Sequence, residues 1–140
     1  VSICKKLQPM KDVGLGYLRL GQPSSTLSGG EAQRLKLASY LVEDKKSHYD
    51  SLFIFDEPTS GLHNKDISYF MSSISRLIDR GNSVIIIEHN TELIKQADWI
   101  IDLGPDGGDK GGEVCFEGVP DKLISLKNNK TGKYLKKEFV

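Results

Sequence analysis

Three short stretches hold residues whose types and spacing suit phosphate chemistry. The pair Asp56-Glu57 closes the apolar run Leu52-Phe53-Ile54-Phe55. Carboxylates at the carboxyl end of a parallel strand stand where open α/β sheets bind ligands. A hard cation such as Mg²⁺ takes one or two carboxylates plus substrate phosphates, and a second carboxylate beside it can orient or deprotonate water. The same dipeptide also suits two surface charges at a helix start. Leu27-Ser28-Gly29-Gly30-Glu31 precedes a helical pattern. Bare glycine backbone, a hydroxyl and a positive helix end make an anion site. Ser28 with Glu31 three residues on equally makes a capping box, and the two readings are compatible. His89 follows the run Val84–Ile87, where an imidazole can donate to a phosphate oxygen or position water, or simply be structural. His48, in a polar stretch, and His63, ahead of a helix cap, read as surface residues.

These groups need elements to position them. Apolar residues at Ile3, Leu7, Met10 and Val13 predict a helix over 2–13. Gly14, Gly16, Gly21 and Pro23 predict a loop. A second helix starts within Gly29–Ala32, with Ala32, Leu35, Ala38 and Leu41 on one face, and ends before the polar stretch Glu43–Asp50. Leu52–Phe55 and Val84–Ile87 are continuous apolar runs, the pattern of strands buried on both faces. Between them Ile67, Phe70, Met71, Ile74, Leu77 and Ile78 form a helical stripe opening at Asn64 or Lys65. Asn90 or Thr91 caps a short helix through Ala97, and a third strand covers Trp99–Leu103. Gly104–Gly112, with five glycines, is a turn. Glu113–Glu117 alternates like an edge strand, and Pro120 suits the first position of a closing helix. Strands alternating with helices predict an α/β fold with a mostly parallel sheet and flanking helices.

The 140 residues are 38% hydrophobic, with 19 basic and 19 acidic side chains. That length suits one domain, and no apolar run approaches the roughly 20 residues that span a bilayer. A neutral balance gives no global argument for nucleic-acid binding. The six lysines from Lys122 to Lys137, free of acids, read as a solvated face or a phosphate-contacting surface. Cys4 and Cys115 lack metal or redox spacing and read as a reduced pair of cytoplasmic type. A start at Val1 rather than Met is expected to mark a fragment boundary.

Together the three stretches resemble ABC ATPases: Leu27–Arg34 their signature motif, Leu52–Pro58 their Walker B strand, Ser60-Gly61-Leu62-His63 their D-loop and His89 their switch histidine. Val13–Pro23, Thr59–His63, Ile87-Glu88-His89-Asn90 and Ala97–Pro105 are similar to the C-terminal ATPase half of the UvrA family, the damage-recognition ATPases of the bacterial nucleotide excision repair excinuclease. Transporter ATPases usually carry Ala-Leu-Asp where this chain has Gly61-Leu62-His63. The resemblance weakens after about Leu126. It divides the chain into residues 1–30, leading into the signature loop, 31–128, the C-terminal part of the ATPase core, and 129–140, a tail.

The Walker A pattern is absent: Gly132-Lys133 precedes Tyr134 and lacks the leading glycine. The expectation is therefore an incomplete P-loop NTPase domain of ABC type, inactive alone. The family's zinc-binding cysteine pairs are missing too, so zinc is expected only upstream. The resemblance implies ATP and Mg²⁺ as cofactors, with Asp56 as metal residue and Glu57 and His89 as catalytic residues. Ser28, Gly29, Gly30, Gln33, Asp56 and Gly61 would be the cofactor-binding ones. It implies damaged double-stranded DNA, the excinuclease component UvrB and a second copy as partners of the full-length protein, and no membrane. The alternatives are a transporter-type ATPase subunit and a non-catalytic half-cassette that dimerises through its signature face.

Overall fold

The computed structural model describes residues 2–42, 50–106, 108 and 111–139. His48 and the stretch 43–49 lie outside the described residues, as do residues 107, 109 and 110 of the glycine-rich turn. The chain forms two compact units, Val1–Glu88 and His89–Val140.

The first unit contains helix α1 (Ile3–Asp12), helix α2 (Gly29–Val42), strand β1 (Leu52–Asp56), helix α3 (Asn64–Ile78) and strand β2 (Ser83–Ile87). β1 and β2 pair in parallel, Leu52 with Ser83 through Asp56 with Ile87, and α3 is the crossover that parallel pairing requires. Of the stripe expected on α3, Ile67, Phe70, Ile74 and Leu77 are buried. Phe55 meets Phe70 edge-on at 6.2 Å between centroids, and Tyr40 of α2 meets Phe53 edge-on at 5.0 Å. One face of the strand pair thereby packs against helices.

The other face does not, and here the expectation of strands buried on both sides is corrected. Leu52, Ile54, Ile85 and Ile87 are all more than half exposed. Alternate side chains of a strand point to opposite faces, and within the described residues the helices of this unit cover only the face of Phe53 and Phe55. The face expected for α2 also rotates. Arg34, Leu37, Ala38 and Leu41 are buried whereas Ala32 is exposed, because a charged residue takes an inward position for a reason given below.

The second unit holds helix α4 (Thr91–Ile94), strands β3 (Ile100–Gly104) and β4 (Glu113–Gly118), and helices α5 (Pro120–Ile124) and α6 (Lys130–Leu135). Asn90 caps α4 by accepting from the Glu92 N–H at 3.0 Å. β3 and β4 pair antiparallel, so the sheet content is a parallel pair plus an antiparallel pair among the described residues. The short glycine-rich link can only reverse the chain, since a parallel return needs a crossover of roughly a dozen residues. Ile100, Leu123 and Leu135 form the core of this unit. The six lysines from Lys122 to Lys137 are all exposed. No helix among the described residues is long and apolar enough to cross a membrane.

The two faces of the parallel pair should respond differently to substitution. Phe70→Ala should cost about 3–5 kcal/mol, whereas Ile85→Thr should change stability by about 0.5 kcal/mol or less. Urea denaturation of the 140-residue chain reads both; equal losses would mean that the outer face is packed.

Candidate functional site

At the start of α2 the capping box is formed. The Ser28 N–H donates to Glu31 Oε2 at 2.7 Å, and the Glu31 N–H donates to Ser28 Oγ at 3.3 Å. The Tyr17 hydroxyl donates to the other oxygen of Glu31. Glu31 is held below the usual carboxylate range, first by the Tyr17 hydroxyl and then by Ser28. The same bond raises the Tyr17 phenol, which must keep its proton to donate. Gly29 and Gly30 differ in environment. A Cβ at Gly29 would meet nothing within 4 Å, whereas one at Gly30 would lie 3.2 Å from Arg34 Nη1 and 3.4 Å from the Glu57 carbonyl oxygen. Gly30 thus lets the helix start lie against the backbone that follows β1, and Gly29 faces open space.

The end of β1 is fixed from α2. Gln33 Nε2 donates to the Asp56 carbonyl at 2.9 Å, and the Asp56 N–H donates to Gln33 Oε1 at 3.0 Å. One side chain thus satisfies the strand edge as a neighbouring strand would. Gln33, expected among the cofactor-binding residues, has both ends of its amide on this backbone. The Glu57 N–H donates to the Ile87 carbonyl at 2.9 Å, extending the ladder by one residue. Glu57 then turns left-handed, at φ 45°, a region non-glycine residues seldom occupy. The carboxylates of Asp56 and Glu57 are exposed.

Arg34, fully buried, occupies the inward face of α2 for the sake of the next residues. Its Nη1 donates to the carbonyls of Pro58 and of Ser60, the latter at 3.1 Å. Nε and Nη2 are buried with no hydrogen-bond partner among the described residues, and burial lowers the guanidinium's affinity for its proton. Thr59, also buried, donates through its N–H at 2.9 Å and through its hydroxyl to Glu88 Oε1. Gly61 is left-handed at φ 77° with open space around its Cβ position.

The structure brings Gly30, Gln33, Asp56 and Glu57 into one assembly. Ser28 and Gly29 stand at its rim, and Gly61 lies one residue beyond the Arg34 contacts. His89 is exposed and heads the second unit directly after Glu88. His63 precedes α3 without capping it through its side chain, and is exposed. Among the described residues no three His, Cys, Asp or Glu side chains converge on a metal position. At the end of β1 Asp56 offers a carboxylate on a fixed backbone, which fits Mg²⁺ completed by phosphate and water. Sequence reasoning assigned no role to Arg34, Thr59 or Glu88. A charge on the apolar stripe of α2 and a carboxylate directly after an apolar run were the available signals.

Three relatives decide what the assembly is similar to. UvrABC system protein A of Aquifex aeolicus is 54% identical over 97% of this chain, and those of Clostridium perfringens and Thermus thermophilus are 57% and 55% identical over 96%. The chain is a UvrA homologue. It spans 14% of the length of each of these relatives. Among solved structures, UvrA2 from Deinococcus radiodurans superposes with a TM-score of 0.83 at 39% identity, over 97% of this chain and 16% of that one. A bacterial Atm1-family ABC exporter with ATP bound superposes at 0.63 over 99% of this chain and 24% of its own. At 21% identity it shows the ABC ATPase fold alone. No protein-family model matches the chain.

The cap of α2 should weaken in acid. Because the folded-state value of Glu31 is depressed, its contribution is complete above the unfolded carboxylate value, roughly 4, and disappears as pH falls through the folded one. Tyr17→Phe should therefore be less stable than wild type at pH 7, with the gap closing below about pH 4. Parallel thermal melts from pH 7 to pH 2 measure the gap; one that stays constant would contradict the assignment.

Proposed function

We propose that the chain is the signature-to-switch segment of a UvrA-type ATPase, from the C-terminal part of its second ABC domain, coupling ATP hydrolysis to recognition of damaged double-stranded DNA. The observation that carries this reading is the pair of ties from Gln33 and Arg34 to the backbone on either side of Glu57. A helix start rich in exposed backbone is thereby held in fixed register with two exposed carboxylates. The family likeness adds the order of elements, and the open space at Gly29 suits the approach of a phosphate.

In this reading Asp56 holds Mg²⁺, largely through bound water. The ion held there would supply neutralisation of phosphate charge. Glu57 takes the proton of the attacking water, and His89 contacts the γ-phosphate. Ser28, Gly29 and Gly30 close on nucleotide held by the phosphate-binding loop of the other cassette half, and Gly61 lines the interface between the halves. Catalysis of this kind rests mainly on positioning and electrostatics. The full-length protein works in the cytoplasm as a dimer, together with the excinuclease component UvrB. Zinc belongs to its other parts.

Glu57→Gln in the full-length protein should keep ATP binding and lose about 10²- to 10⁴-fold of turnover at this site. Single-turnover hydrolysis with the site isolated measures it, and a rate near wild type would remove Glu57 from the role of base. The 140-residue chain by itself is expected to hydrolyse no ATP above background. Turnover that follows the chain through purification and disappears in Glu57→Gln would overturn that expectation.

A further inference from the structure

We propose that Glu88 is a positioning residue for Glu57, acting through Thr59. The inference rests on the reading of Glu57 as general base and deepens it. Glu57 is one of two non-glycine residues with positive φ among those described, and an exposed strand end does not hold such a conformation unaided. The turn that follows is determined from every side. The Ser60 N–H donates to the Glu57 carbonyl at 3.1 Å, and the Leu62 N–H to the Thr59 carbonyl at 2.9 Å. Arg34 binds the carbonyls of Pro58 and Ser60.

The two donors of Thr59, a residue only 7% exposed, both go to Glu88 Oε1. A cation thus takes two acceptors of the turn, the Pro58 and Ser60 carbonyls, and an anion takes the two donors of Thr59. Glu88 is suited to this because β1 and β2 are parallel and in register. With Asp56 opposite Ile87, the residue after each strand emerges at the same edge, and Glu57 and Glu88 are those residues. A hydrogen bond from a buried donor to a charged acceptor is stronger than a neutral one. Glu88 also immediately precedes His89, so the residue leading into the switch histidine is the one that fixes the turn after the base.

The test compares Glu88→Ala, Glu88→Gln and Thr59→Val in the full-length ATPase, each with and without Glu57→Gln, by steady-state and single-turnover hydrolysis. Melting temperatures confirm folding. Misplacement of a catalytic group by about 1 Å can cost on the order of 10²-fold. Glu88→Ala should therefore lower kcat by about 10- to 100-fold, with KM for ATP changed less than about threefold. Glu88→Gln, which keeps a carbonyl acceptor for Thr59, should recover most of the rate, and Thr59→Val should fall between. In the Glu57→Gln background, Glu88→Ala should change the residual rate less than about twofold, because the two act as one unit. Should Thr59→Val and Glu88→Ala keep full kcat, or Glu88→Ala lower the rate by the same factor in both backgrounds, the positioning role is overturned. If Glu57→Gln alone retains turnover, the assignment of the base fails instead, which the single variant reveals.

Discussion

The buried guanidinium of Arg34 is the constraint on which the site depends. Placing a charge on the inward face of a helix is costly unless it is hydrogen-bonded, and here its bonds go to two carbonyls of one turn, Pro58 and Ser60. A neutral apolar residue there would fill the space and leave those carbonyls without their donor. The helix that begins at the Ser28 cap is therefore welded to the turn that begins at Glu57. Gln33, one residue earlier, repeats the device on the Asp56 backbone. Adjacent side chains on one helix thereby fix a strand end and its exit.

Gly30 completes this arrangement by steric means. Any side chain there would press on the Arg34 guanidinium and the Glu57 carbonyl, whereas the neighbouring Gly29 meets nothing. Two adjacent glycines thus serve different ends: one lets two parts of the chain approach, the other keeps the outer surface of the helix start bare. A helix start with bare backbone is suited to an anion, and it is held in register with carboxylates suited to a cation and to water. The opposite signs are kept in place by the hydrogen bonds that Gln33 and Arg34 make to the backbone on either side of Glu57.

Much of this was legible in the residues. The 3.6-residue period gave α3 and its buried stripe, and the continuous apolar runs gave β1 and β2 with their parallel pairing. The position of Asp56-Glu57 at a strand end followed from the run before it, and the Ser28–Glu31 box from spacing alone. What escaped was long-range. Arg34 meets the Pro58 carbonyl 24 positions away and Thr59 meets Glu88 across 29, and backbone carbonyls leave no mark on sequence. The stripe of α2 was misjudged by periodicity because a charged residue lies on its inward face. The exposed outer face of β1 and β2 escaped for the converse reason, since a continuous apolar run shows that both faces are fit for burial and not which segment buries them.

A structure of the full-length protein with Glu57→Gln and bound ATP and Mg²⁺ tests the central claim most directly. The Asp56 carboxylate should face the cation through water, and residue 57 should lie beside the γ-phosphate. Ser28, Gly29 and Gly30 should stand against phosphate oxygens of nucleotide held by the other cassette half. Nucleotide bound with its phosphates away from Asp56 and from the start of α2 would contradict the claim.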